Sequence, residues 1–89
     1  LGYEREIEEL REEIDHLNGK IVEKLSQRVK ASKKIGDIKR RHDLPIVDRD
    51  REARVYEQIR GLARRHGLDE TGVVRIFREI IRLCTEAQM

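Results

Sequence analysis

Eighty-nine residues make one domain, residues 1–89, with 37% hydrophobic and 43% charged side chains and only two Tyr, one Phe and no Trp. A chain this small and polar builds a marginal core by itself, which points to association with a second copy. A net charge of +2 announces no nucleic-acid partner, no apolar run approaches membrane-spanning length, and the single Cys84 excludes an internal disulfide or cysteine zinc site and fits a reduced, cytoplasmic setting.

The first predicted element is one very long helix, from about Tyr3 to Arg40. Apolar residues recur at Ile7, Leu10, Ile14, Leu17, Ile21 and Leu25, spaced by three and four. That period makes one face of a helix. Continued, it lands on Arg28, Ser32, Ile35 and Lys39. Charges on a core-facing stripe need counter-charges. Arg28 and Lys39 are therefore expected to point inward, with something anionic between them. Eleven residues separate them, about 16 Å along the axis and on one face.

The same helix is acidic at its start and basic at its end. Residues 1–15 carry seven acids against Arg5 and Arg11, and residues 20–41 carry nine bases against Glu23 and Asp37. This order suits the macrodipole and makes two antiparallel copies complementary. Arg11 lies seventeen residues before Arg28, about 25 Å along the axis and turned away by roughly 100°. It cannot join Arg28 within one helix. In an antiparallel pair with its dyad near Gly19 and Lys20, Arg11 of one chain falls beside Arg28 of the other.

The segment Arg41-His42-Asp43-Leu44-Pro45 breaks the helix, because Pro45 excludes helix and biases Leu44 toward extended geometry. Asp48 reads as the N-cap of a second helix, which runs to about His66 with Gly67 as its C-terminal cap. Its stripe is Val55, Ile59 and Leu62, and extrapolated backwards it meets Arg51 with Glu52 beside it. Asp69 opens a third helix with its stripe at Val73, Phe77, Ile80, Ile81, Cys84 and Gln88. No strand, repeat or low-complexity segment is expected. The fold class is all-α, three helices per chain, one very long and two shorter. His16, His42 and His66 lack metal-ligand spacing and read as surface residues. Arg60, Arg64 and Arg65 read as a solvated face. The chain opens on Leu1, as expected of a trimmed chain or a piece of a longer polypeptide.

On these residues the chain resembles the small all-helical chorismate mutases. The resemblance is carried by Leu10-Arg11-Glu12-Glu13-Ile14-Asp15, by Arg28 and Lys39 with Gly36 between them, by Pro45-Ile46 followed by Asp48-Arg49-Asp50-Arg51-Glu52, and by Gln88. It covers nearly the whole chain. It implies an intertwined antiparallel helical homodimer with two sites shared between chains. It also implies rearrangement of chorismate to prephenate, a Claisen step in aromatic amino-acid biosynthesis, with no metal and no cofactor.

By the same resemblance, Arg28 and the partner chain's Arg11 would clamp the two carboxylates of a dianionic substrate. Lys39 would bind a carboxylate and the ether oxygen, and Gln88 would donate to that oxygen. Glu52 and the Asp48 backbone would hold the ring hydroxyl. Arg51 would complete the carboxylate site and balance Glu52. Cys84 stands where the family often has a serine that touches a carboxylate, and a thiol is a weaker donor. Two other readings stay open at this point. One is an isochorismate-pyruvate lyase of the same fold, against which Asp48 and Glu52 speak. The other is a helical dimerisation or regulatory module without catalysis.

Overall fold

A computed structural model describes all 89 residues as three helices without a strand: α1 (Gly2–Arg41), α2 (Arg49–Arg65) and α3 (Glu70–Gln88). The 40 residues of α1 run unbroken through Gly19 and Gly36. Glu4 in its first turn and Lys39, Arg40 and Arg41 in its last follow the macrodipole. The helix stops where the backbone turns: Asp43 takes a positive φ of 54°, and the Leu44 N–H donates to the Lys39 carbonyl at 2.8 Å. An Asp tolerates this left-handed region better than most residues. Pro45 then prevents helix from resuming at once.

Both short helices begin on an aspartate. Asp48 Oδ1 accepts from the Arg51 N–H at 3.0 Å, and Asp69 Oδ2 accepts from the Gly72 N–H at 2.8 Å. At the end of α2, Gly67 has φ +68°, the Leu68 N–H donates to the Ala63 carbonyl and the Gly67 N–H to the Arg64 carbonyl. This pair of bonds closes the helix in a Schellman arrangement, and it requires a residue at ease with positive φ.

The third helix packs on both others, whereas α1 and α2 do not approach each other backbone to backbone. The α2–α3 seam is apolar: Val55, Ile59 and Val74 are buried, with Tyr56, Val73, Phe77 and Ile81 packed around them. One expectation is corrected by this packing. Leu62, placed on the inner stripe, is 37% exposed, and Ala63 is buried instead. The ridge of α2 follows fours (Val55, Ile59, Ala63), and a methyl side chain lets α3 come close. Val74 is the buried residue at the start of α3, with Val73 half-buried beside it. On α1 the only buried residues are Ser32 and Gly36.

The rest of the α1 stripe is uncovered. Ile7, Leu10, Ile14, Leu17 and Ile21 are all exposed in the single chain. The molecule measures 63 × 24 × 16 Å, with a radius of gyration of 17.2 Å. A compact domain of this length would have about 12 Å. Its accessible surface is 7456 Å², against about 5,500 Å² for a folded monomer of this mass.

Candidate active site

Because α1 and α2 both rest on α3 without meeting, a cleft opens between them. Its floor is α3, and the segment after Pro45 closes one end. The cavity measures about 290 Å³, at the lower edge of the roughly 300–1,000 Å³ typical of small-molecule sites. Arg28, Lys39, Asp48, Arg51, Glu52, Cys84 and Gln88 all line it, from three helices and one loop. Apolar groups, among them Ile35, Val55 and Ile81, fill the wall between the polar ones.

Three cations face this space: Arg28 and Lys39, both half-buried, and the exposed Arg51. None of them has a carboxylate within ion-pairing distance in the chain. The ammonium of Lys39 donates to the Ile46 carbonyl at 2.7 Å. That bond fixes the lysine tip against the loop and leaves two of its three N–H donors for a ligand.

The acidic side is arranged differently from expectation. Glu52, 25% exposed at its side chain, is paired with Arg49 at 3.3 Å. Arg51, expected to balance it, makes no such pair; at i+3 Arg49 is the neighbour on the helix face, and an adjacent residue points elsewhere. The Asp48 carboxylate is occupied in capping α2, and its carbonyl accepts from the Glu52 N–H at 3.0 Å. Three cations thus face two carboxylates, both of which already have partners within the chain.

On the floor, Cys84 is buried, 3% exposed, as a small core residue. One turn later Gln88 presents its amide. Its Oε1 is buried and has no hydrogen-bond partner. A buried carbonyl oxygen left unpaired is costly, and such an exception calls for an explanation. Thr85 and the Ile46 carbonyl also belong to the site and were missed by sequence reasoning. Thr85 could have been found as the hydroxyl next to Cys84. A backbone carbonyl leaves no trace in sequence.

Arg11 is not at this cleft. It sits on the exposed first half of α1, paired with Glu8 at 3.8 Å. No group of three or more His, Cys, Asp or Glu side chains is arranged to hold a metal ion. No helix is long and apolar enough to cross a membrane.

This arrangement offers electrostatics and shape. It can hold a small, rigid polyanion by its carboxylates and present an amide and an ammonium to a neutral oxygen between them. Comparison with known proteins agrees with that chemistry. The family model for chorismate mutase type II matches residues 10–89. A bifunctional chorismate mutase/prephenate dehydratase of Aquifex aeolicus is 39% identical over 82 residues, which is 89% of this chain and 23% of that protein. A chorismate mutase of Methanocaldococcus jannaschii is 34% identical over 73 residues, covering 82% of this chain and 74% of the relative. A 4-amino-4-deoxychorismate mutase of Streptomyces venezuelae is 31% identical over 78 residues, covering 88% and 76%. The chain spans under a quarter of the first of these relatives and about three quarters of the other two. With the match extending over almost its entire length, this chain belongs to the chorismate mutase type II family.

Proposed function

We propose that this chain converts chorismate to prephenate, and that it does so as a homodimer whose two sites each draw on both chains. One observation carries the reading: three cations without counter-ions share a cleft with the Gln88 amide.

The rearrangement is unimolecular. An ether C–O bond breaks while a C–C bond forms between the enolpyruvyl methylene and the ring carbon that bears a carboxylate. No proton leaves, so no general base or nucleophile is required. The protein must fold the enolpyruvyl arm over the ring and stabilise negative charge growing on the ether oxygen. Arg28 takes one carboxylate, and guanidinium suits it by its forked geometry. Arg51 adds positive charge at the same site. Lys39 reaches a carboxylate and the ether oxygen, and Gln88 donates its amide N–H to that oxygen. Glu52 and the Asp48 backbone receive the ring hydroxyl. A millionfold acceleration needs about 8 kcal/mol. One well-aimed donor supplies roughly 3–4 kcal/mol. Two donors on one oxygen, with the arm held in its reactive conformer, therefore reach the required scale.

The second chain supplies what the first lacks. An antiparallel copy would cover the Ile7–Ile21 stripe, match acidic to basic ends, and bring its Arg11 to the second carboxylate. The excess of surface over a compact monomer, about 2,000 Å² per chain, is of the size an obligate dimer buries. The lone thiol fits a reducing cytoplasm.

The test is to incubate the protein with chorismate and follow prephenate across a series of protein concentrations. Turnover that falls at dilutions where the dimer dissociates supports the reading. Absence of turnover by the intact dimer rejects it, and release of pyruvate from isochorismate instead would assign the lyase. Because one relative is named for the 4-amino substrate, the same series is run with 4-amino-4-deoxychorismate; a higher kcat/KM there would reassign the substrate.

A further inference from the structure

We propose that Gly36 is a positioning residue for Gln88, acting together with Arg40. The proposal rests on the reading of the cleft as a chorismate mutase site, and it concerns how that site keeps its amide in place.

Gly36 is buried in α1, although its neighbours Ile35 and Asp37 are exposed. A Cβ added to it would lie 2.9 Å from Gln88 Cα, 3.0 Å from Gln88 Cβ and 3.0 Å from the Gln88 carbonyl oxygen. The obstacle is backbone, not the flexible end of a side chain. By contrast Gly2 and Gly19, in the same helix, have nothing within 4 Å. A glycine inside a helix costs roughly 0.5–1 kcal/mol relative to Ala. At position 36 that cost has a visible return, since α3 comes to rest directly on the α1 backbone at the residue that carries the amide.

Arg40, one turn on, holds the same point from outside. One guanidinium nitrogen donates to the Gln88 carbonyl and another to the Asp37 carboxylate. Arg40 thus ties the Gln88 backbone to α1, and Asp37 aims the guanidinium. Gly36 sets how close Gln88 can come, and Arg40 keeps it there.

The amide itself has no such support. Gln88 Oε1 is buried and unpartnered. No protein hydrogen bond to that oxygen would correct its aim if the backbone moved. Any shift of the α3 backbone against α1 therefore passes straight to the donor. A methyl group at position 36 forces such a shift, whether the last turn gives or the whole helix tilts. Displacements on the scale of an ångström at a reacting centre cost about 100-fold in rate. Arg28 lies on α1 itself and Arg51 on α2, so a shift confined to the last turn of α3 leaves both cations, and with them carboxylate binding, in place.

The experiment measures chorismate kinetics for wild type, Gly36→Ala, Arg40→Met, Gln88→Ala and the two double variants, with circular dichroism to confirm helix content. Gly36→Ala should lower kcat about 10- to 100-fold with KM nearly unchanged. Arg40→Met should lower kcat several-fold in the same sense. In the Gln88→Ala background neither change should lower kcat further, because no amide remains to misplace. A wild-type kcat for Gly36→Ala overturns the proposal, as does a loss that simply multiplies with that of Gln88→Ala. If Gly36→Ala does not fold, the exposed Arg40→Met decides in the same way, through its coupling to Gln88→Ala. Failure of the wild type to turn over chorismate would overturn the reading of the site and this proposal with it; an active wild type with an indifferent Gly36→Ala overturns the positioning role alone.

Discussion

Lys39 combines a structural and a chemical property in one side chain. Its ammonium is tethered to the Ile46 carbonyl, yet it has no anionic partner. Removing a half-buried, unpaired charge relieves a cost to the fold. Lys39→Ala should therefore keep its helix content while kcat falls by about 100- to 1,000-fold; unfolding of the variant would make Lys39 a structural residue. Gln88 allows a sharper test. A carboxylic acid in place of the amide donates a hydrogen bond only when protonated. The kcat of Gln88→Glu should thus rise steeply as pH falls, whereas the wild-type amide gives no such dependence on its own account. A flat profile for the variant would remove Gln88 from contact with the ether oxygen. At this scale the sequence was informative where a charge broke a periodic apolar pattern, as at Arg28 and Lys39. It was silent on Ile46, whose contribution is a backbone carbonyl. Arg51 and Glu52 both line the cleft without pairing with each other; the ion pair of Glu52 is with Arg49, which lies three residues before it on the helix face.

The elements were legible because their punctuation is local. Pro45, the two capping aspartates and Gly67 each act within four residues, and each does in the structure what its chemistry dictates. Asp69 caps α3 away from the cleft, so Asp69→Ala should reduce unfolding free energy by about 1 kcal/mol and leave kcat unchanged. Denaturant titration alongside the chorismate assay checks both halves, and a change in kcat would mean that the start of α3 is coupled to the site. What sequence could not show was the depth of packing. Ala63 carries almost no hydrophobic signal, yet it is the inward residue because its small size admits α3. Gly36 read as a weak point in a helix; its contact with Gln88 joins residues 52 positions apart, and no periodicity reports such a pair.

The whole molecule is an extended form with an uncovered apolar stripe and a cleft that lacks one of its expected cations. Leu17 lies on that stripe, two residues from the dyad inferred near Gly19. Leu17→Lys would set like charges against each other across it and bury them in apolar surroundings. The variant should sediment as a monomer and lose chorismate turnover; a fully active dimer would place the interface elsewhere. The proposed sharing of each site between two chains is tested most directly by complementation between two inactive chains. In the proposed dimer, Arg11→Ala lacks the residue given to the partner, and Lys39→Ala lacks the residue kept at home. When the two are mixed in equal amounts, unfolded and refolded together, about half of the dimers are mixed and each holds one complete site. Activity should return to about a quarter of the wild-type value. A mixture no more active than the mean of its two parents would contradict the sharing.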